Sequence, residues 1–244
     1  MKYRKVIAVF FASLLVPSCG IEENYYLPQV PQNRITRTNN TEAVIILPSL
    51  NQYNYAQNYI IYYKIYISGE DSIADIQTSS ERSNISSDLA SDYSAINPYA
   101  DPVSQSQSNV STILKNRNYF ELELDGADIK NSLPLSGGSV RIFFPTSAGE
   151  YPTLSYNDGQ GIRFRRSRQL ISPQPVGDPY FRNTNDLSNP ENSNSNINAD
   201  VASRSGSTGF AYASMYIVAV GLTNDFKQIF SKPTHISIFK LPNV

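Results

Sequence analysis

The chain has no tryptophan, one histidine and one cysteine among its 244 residues. A single cysteine excludes an internal disulfide. One histidine with one cysteine is too small a ligand set for a zinc site, so no metal and no cofactor is expected. Charge is also scarce: Asp, Glu, Lys and Arg together make up 17%, against about a quarter in an ordinary domain. The signs balance, with 20 cations and 21 anions. That balance argues against a nucleic-acid partner, because such domains are strongly basic. No apolar run reaches the roughly 20 residues that cross a bilayer as a helix. A Gly-x-Ser-x-Gly nucleophile elbow is missing too, and Gly159-Gln160-Gly161 lacks the third glycine of a phosphate loop.

What the chain does have begins at its first residue. Lys2, Arg4 and Lys5 form a positive start, and Val6 to Val16 follow without a charge. Ser18 and Cys19 close the segment. A charged start, a short apolar core and a small residue at the end describe an export signal. These residues resemble a bacterial lipoprotein signal, with Val16 as the aliphatic position, Ser18 as the small position and Cys19 as the acceptor. Pro17 departs from that pattern. The resemblance covers residues 1-20. It implies cleavage after Ser18, a diacylglycerol on the Cys19 sulfur and an acylated amine. Two or three acyl chains anchor a protein stably where one does not. Removing Lys2, Arg4 and Lys5 leaves 17 cations against 21 anions, so the mature chain is mildly acidic.

The expected organisation is a signal peptide over 1-18, a lipidated tether over 19-34 and one β-sandwich domain over 35-244. Two loop- and helix-rich insertions are expected at about 70-118 and 172-207. Tyr (17) and Phe (11) suit strands, while abundant Ser and Asn suit turns. Ala43 to Leu47 reads as a short buried strand closed by Pro48. Tyr59 to Ser68 gives the strongest strand pattern, with Ile61, Tyr63, Ile65 and Ile67 on one side and Ile60, Tyr62, Lys64 and Tyr66 on the other. Ile85, Leu89, Tyr93 and Ile96 recur at helical spacing, which predicts a helix within Ser83 to Tyr99, capped by Ser83 or Ser87. Tyr119 to Leu124 and Ser139 to Phe144 read as strands. Thr153 to Arg166 reads as a hairpin around Asp158-Gly159. Ser172 to Ser207 shows almost no apolar periodicity and reads as a long surface insertion or a functional loop. Phe210 to Val220 and Thr234 to Leu241 alternate as two closing strands.

Four of these segments resemble a fibronectin type III or related immunoglobulin-like sandwich. Ala43 to Leu47 with Tyr59 to Tyr66 is similar to that family's second and third strands. Tyr212 to Gly221 with Pro233 to Leu241 is similar to its last two. The family's core tryptophan is missing, and about 140 residues separate the halves. The fold class expected is therefore mainly β: an antiparallel immunoglobulin/fibronectin type III-like sandwich with large insertions, including one short helix. Such a fold hosts many functions and dictates none.

No catalytic residue stands out, and a non-enzymatic role is expected. His235, in an alternating strand, reads as a surface or edge residue. Glu121 and Glu123, two apart on one strand, share a face and read as solvated. The alternative is that this pair, or Asp71 with Asp75, serves an envelope carbohydrate-active hydrolase. Arg163, Arg165, Arg166 and Arg168 form the one basic cluster. Arg163 and Arg165 share a face suited to an anionic glycan or lipid headgroups, or simply solvated. Tyr53, Tyr55, Tyr59, Tyr62 and Tyr66 offer amphipathic contact area, either to a ligand or to an inserted helix over the sheet. The ligand-binding residues expected are Tyr59, Tyr62, Tyr66, Arg163 and Arg165. The expected function is a lipid-anchored bacterial envelope protein for adhesion, glycan contact or envelope assembly. Its partners are a membrane through Cys19 and a glycan or another envelope protein. Gly20 lacks the aspartate that retains enteric lipoproteins in the inner membrane, which favours the outer membrane or cell surface.

Overall fold

A computed structural model describes residues 25–69, 79–96, 113–125, 133–147, 149–167, 180–182, 187, 200–202 and 209–242. Ser18, Cys19, Asp71, Asp75 and Arg168 lie outside the described residues. The strands run in chain order as β1 (Ile35–Thr38), β2 (Glu42–Leu47), β3 (Ala56–Ser68), β4 (Phe120–Glu121), β5 (Glu123–Leu124), β6 (Gly138–Phe143), β7 (Thr153–Tyr156), β8 (Ile162–Arg165), β9 (Phe210–Leu222), β10 (Gln228–Phe230) and β11 (Thr234–Lys240). Between β3 and β4 the described residues include α1 (Ser79–Ile85), α2 (Ser87–Ile96) and a helical turn at 113–116.

The strands form a β-sandwich of two antiparallel sheets. One sheet has the order β1-β2-β6-β7-β8-β5. The other has β10-β9-β3-β4, with β11 also pairing β9. β1, β2 and β6 are neighbours in the first sheet, and β3, β9 and β11 in the second. The long β3–β9 ladder runs from Ala56↔Gly221 to Ser68↔Phe210 and is the spine of the molecule.

Strand alternation sorts the side chains as the residue pattern predicts. Tyr59, Ile61, Tyr63, Ile65 and Ile67 of β3 join Ala211, Ala213, Met215, Ile217 and Ala219 of β9 in the core between the sheets. From the opposite sheet come Ala43, Ile45, Leu47, Val140 and Ile142. Four phenylalanines meet in the core between the sheets. Phe144 stacks on Phe239 with centroids 4.7 Å apart, and Phe164 and Phe181 pack edge-on at 5.3 Å. Aromatic pairs in this geometry add about 0.5–1.5 kcal/mol beyond area burial.

The outer faces of the two sheets differ. On the β2–β6 sheet, Ile46 and Arg141 face solvent. On the β3–β9 sheet, the outer face is covered. Tyr66 and Tyr212 pack under Ile85 and Leu89 of the helices. Tyr62, Tyr216, Val218 and Val220 pack with Ile96, Leu114 and Tyr119. The helical stripe is present, but the chain breaks at Ser86 into two helices and stops at Ile96. Ser86, not Ser83 or Ser87, is the cap: its Oγ accepts the Asp88 amide at 3.2 Å, next to the start of α2.

Other expectations need correction. Tyr119 to Leu124 is not one strand. Glu121 pairs with Tyr62 in one sheet, and Glu123 pairs with Arg165 in the other. The β7–β8 turn centres on Asn157-Asp158, one residue earlier than expected. Both have positive φ, and the Gly159 amide bonds the Tyr156 carbonyl at 3.0 Å, as a type I′ turn requires. In the 172-207 segment, Tyr180 and Arg182 stay partly exposed while most other described residues are buried. Phe181, Leu187 and Val201 are core residues. The Ile65 amide bonds the Asp200 carbonyl at 2.8 Å and the Ala202 amide bonds the Ile65 carbonyl at 2.7 Å, so 200–202 seals part of the β3 edge left free by β4.

Gly137 enters β6 at φ +77°. A Cβ there would sit 2.8 Å from both the Leu47 carbonyl oxygen and the Ser49 amide nitrogen. Backbone cannot yield as a side-chain tip can. Gly137→Ala is expected to cost about 1–3 kcal/mol, read as a lower urea midpoint at unchanged slope.

Candidate functional site

The sheet face under the helices carries a connected polar network. Lys64 of β3 points outward, into what would be an apolar layer. Asp92 of α2 meets it, with Lys64 Nζ 2.6 Å from Asp92 Oδ2. The other carboxylate oxygen accepts from Arg117 Nη1 at 3.0 Å. Tyr66 donates to Asp92 Oδ2 at 2.8 Å, and the Tyr66 and Tyr119 hydroxyls lie 2.9 Å apart. Tyr119 then reaches Ser214 Oγ at 3.4 Å, and Ser214 Oγ is 3.5 Å from His235 Nε2. The chain thus runs from a half-exposed arginine to the sole histidine.

Two members, Tyr66 and His235, are held in their neutral forms. Burial, then the neighbouring Tyr119 and Asp92, push the Tyr66 phenol well above its usual range. Burial, then Arg37 and Arg82, hold the His235 imidazole down to about 3. His235 is therefore neither a surface residue nor a base poised near neutral pH. It sits between Tyr93 and Tyr216, with ring centroids 5.1 and 5.0 Å away. Its Nδ1 has no partner among the described residues, and no described carboxylate orients the ring as a Ser-His-Asp triad needs. The network fixes the helices on the sheet. Beside it lies a cavity of about 210 Å³ lined by Tyr62, Lys115, Tyr119, Phe120 and Glu121.

Tyr59, Tyr62 and Tyr66, expected to be exposed, are buried. Tyr59 donates to the Pro48 carbonyl at 2.7 Å inside the core. Tyr62 donates to Glu121 Oε1 at 3.1 Å at the cavity wall. The signal for this was present. Both faces of β3 and β9 are rich in apolar or aromatic residues, and strands with two apolar faces are covered on both.

The three described arginines near β8, Arg163, Arg165 and Arg166, do not form one patch. Arg166 turns into the core, where its Nε is 2.6 Å from Asp200 Oδ2 and its Nη2 also bonds Asp200. Tyr63 donates to the same carboxylate at 2.9 Å. Burial opposes the charge on Arg166, but Asp200 outweighs it and raises its pKa. Arg165 is half-buried, 3.8 Å from both Glu123 and Asp125. Of the three, only Arg163 is exposed. Its guanidinium lies 4.4 Å from the Tyr151 ring centroid, and that of Arg182 lies 4.8 Å from it. Tyr180 packs on Tyr151 at 4.9 Å and donates to Asp125 Oδ2 at 2.9 Å. Two guanidiniums, two phenols and one carboxylate thus meet at the surface, a set able to bind anions and hydroxyl groups. Sequence reasoning found Arg163 but missed Tyr151, Tyr180 and Arg182. Nothing local to Arg163 predicts that residues 12 before and about 20 after it converge there.

The Glu121/Glu123 pair parts with the sheets. Glu121 faces Tyr62, and Glu123 lies beside Arg165. Among the described residues, no group of three or more His, Cys, Asp or Glu is placed to hold a metal ion. No described helix is long and apolar enough to cross a membrane. Compared with known families, proteins and solved structures, the chain matches none.

Proposed function

We propose that this is an exported, lipid-anchored bacterial envelope protein whose sandwich does binding or structural work without catalysis. The observation that carries the reading is the leader, which ends on the chain's only cysteine. An unpaired cysteine has no disulfide to make in an exported chain, and lipidation gives this one a use. The treatment of ionisable groups supports the second half of the reading. Asp92 is shared by Lys64, Arg117 and Tyr66, and Asp200 by Arg166 and Tyr63. Groups so engaged in buried polar networks hold structure together. Within this role, the surface around Arg163, Tyr151, Arg182 and Tyr180 suits an anionic glycan or an acidic face of another envelope protein.

The anchor has a direct test. In a bacterial host, the mature N-terminal peptide is expected to start at Cys19 and carry a diacylglycerol mass, and the protein to enter the detergent phase on phase separation. Cys19→Ala is expected to abolish both. A free thiol at Cys19 in protein from which the leader has been removed would refute the reading.

A further inference from the structure

One end of the sandwich exposes aromatic rings where the chain arrives from the leader. Tyr25 packs edge-on against Tyr55 at 5.2 Å, and Tyr55 against Tyr53 at 5.8 Å. Tyr55 donates to the Tyr26 carbonyl at 2.6 Å and accepts the Tyr26 amide at 3.2 Å, clamping the start of the described chain. Tyr26 is 56% exposed. The turn between β9 and β10 stands beside it, for the Asn224 amide bonds the Tyr25 hydroxyl at 3.4 Å. At the tip of that turn Phe226 is 82% exposed, the most exposed large apolar side chain among the described residues.

Phe226 is also costly where it is. It has φ +61°, a conformation that glycine or asparagine takes easily and a bulky residue does not. The rest of the turn holds it there. The Phe226 amide bonds the Thr223 carbonyl at 3.0 Å, and the Thr223 amide bonds the Lys227 carbonyl at 2.9 Å. Strain and exposure at one residue suggest selection for contact rather than folding. Charge at the tip is cancelled locally, since Lys227 Nζ is 2.6 Å from Asp225 Oδ2. A neutral, aromatic-tipped surface suits the headgroup region of a bilayer, where Tyr and Phe rings accumulate.

We propose that this end, made of Tyr25, Tyr26, Tyr53, Tyr55 and the Thr223–Lys227 turn, rests on the membrane that holds the anchor, with Phe226 inserted among the headgroups. The inference rests on the lipid anchor at Cys19. Only Gly20 to Asn24 separate Cys19 from Tyr25. Six Cα steps reach at most roughly 20 Å, so this end cannot stand far from the bilayer. The partner is the lipid surface itself. Because the tip carries no net charge, contact is expected on zwitterionic lipid and to persist in salt.

The absence of tryptophan makes the test specific. Phe226→Trp and Tyr26→Trp each introduce a single reporter into the lipidated full-length protein, purified in detergent and reconstituted into phosphatidylcholine vesicles. Glu150→Trp, an exposed position at the opposite end, is the control. On reconstitution, emission from the first two is expected to move to shorter wavelength and to be quenched by doxyl-labelled lipid. The control is expected to show neither. Unquenched reporters on a protein whose Cys19 carries its diacylglycerol overturn the contact and leave the anchor standing. An unmodified Cys19 removes both. A shift that follows protein concentration in detergent, without quenching by lipid, assigns the face to a second copy of the chain and also overturns the proposal.

Discussion

Asp200→Ala is expected to destabilise the fold by roughly 3–5 kcal/mol, the range for removing one partner of a buried ion pair. Asp200 is fully buried and accepts from Arg166 and from Tyr63. Without it, the Arg166 guanidinium remains in the core with its charge uncompensated, and the Tyr63 hydroxyl loses its acceptor. The backbone bonds that tie 200–202 to Ile65 do not involve the side chain, so the loss belongs to electrostatics and desolvation. A domain with a total stability of about 5–15 kcal/mol would be left near its limit. Removing both charges is expected to be milder, because no ion is then stranded: Arg166→Met with Asp200→Leu should lose clearly less than Asp200→Ala alone. Urea unfolding of the three proteins decides the matter. A double variant as unstable as the single one would mean that packing, and not the stranded charge, sets the cost.

This pair marks the boundary of what is legible in the sequence. Period-two alternation is local, and by itself it assigns Ile61, Tyr63, Ile65 and Ile67 to the core face. Strands β3, β9 and β11 are legible for the same reason and β2 as a short apolar run closed by Pro48, whereas the sandwich arrangement is implied only by the resemblance to immunoglobulin-like domains. Arg166 and Asp200 are 34 residues apart across a stretch without periodicity, and nothing local tells an inward arginine from an outward one. Residues 119-124 show a subtler failure. Phe120, Leu122 and Leu124 keep their alternation while the chain crosses from one sheet to the other, so the pattern survives the change of partner and hides it. Lys64 misleads in the opposite sense. A lysine in the middle of a strand marks a solvated face unless a carboxylate arrives from elsewhere, and Asp92 arrives on a helix 28 residues later. The candidate contact surface is the least legible part, because it joins Asp125, Tyr151, Arg163, Tyr180 and Arg182 from separate segments.

His235 should make the fold acid-labile in a defined window. Unfolded, its imidazole titrates near 6.5; folded, burial followed by the positive charges of Arg37 and Arg82 holds it down to about 3. Between those values the unfolded chain binds a proton that the folded chain refuses. Stability from this group is therefore complete above pH 6.5 and falls as the pH drops toward 3. The slope approaches about 1.4 kcal/mol per pH unit, so roughly 2–3 kcal/mol should be gone by pH 4.5. His235→Phe keeps a ring between Tyr93 and Tyr216 and gives up only the 3.5 Å approach to Ser214, which still has Tyr119. Its stability is expected to fall less steeply with acid. Exposed carboxylates such as Glu42 and Asp225, whose pKa values are lowered by Arg141 and Lys227, titrate alike in both proteins and cancel in the difference. Thermal or urea unfolding at pH 7 and 4.5 reads that difference. Because the chain has one histidine, its ring-proton resonance also reports the folded state directly and should not move between pH 7 and 4.5. Parallel stability curves, or a resonance titrating near 6.5, would show that the imidazole is reached by solvent and that the helices do not seal the sheet face beneath them.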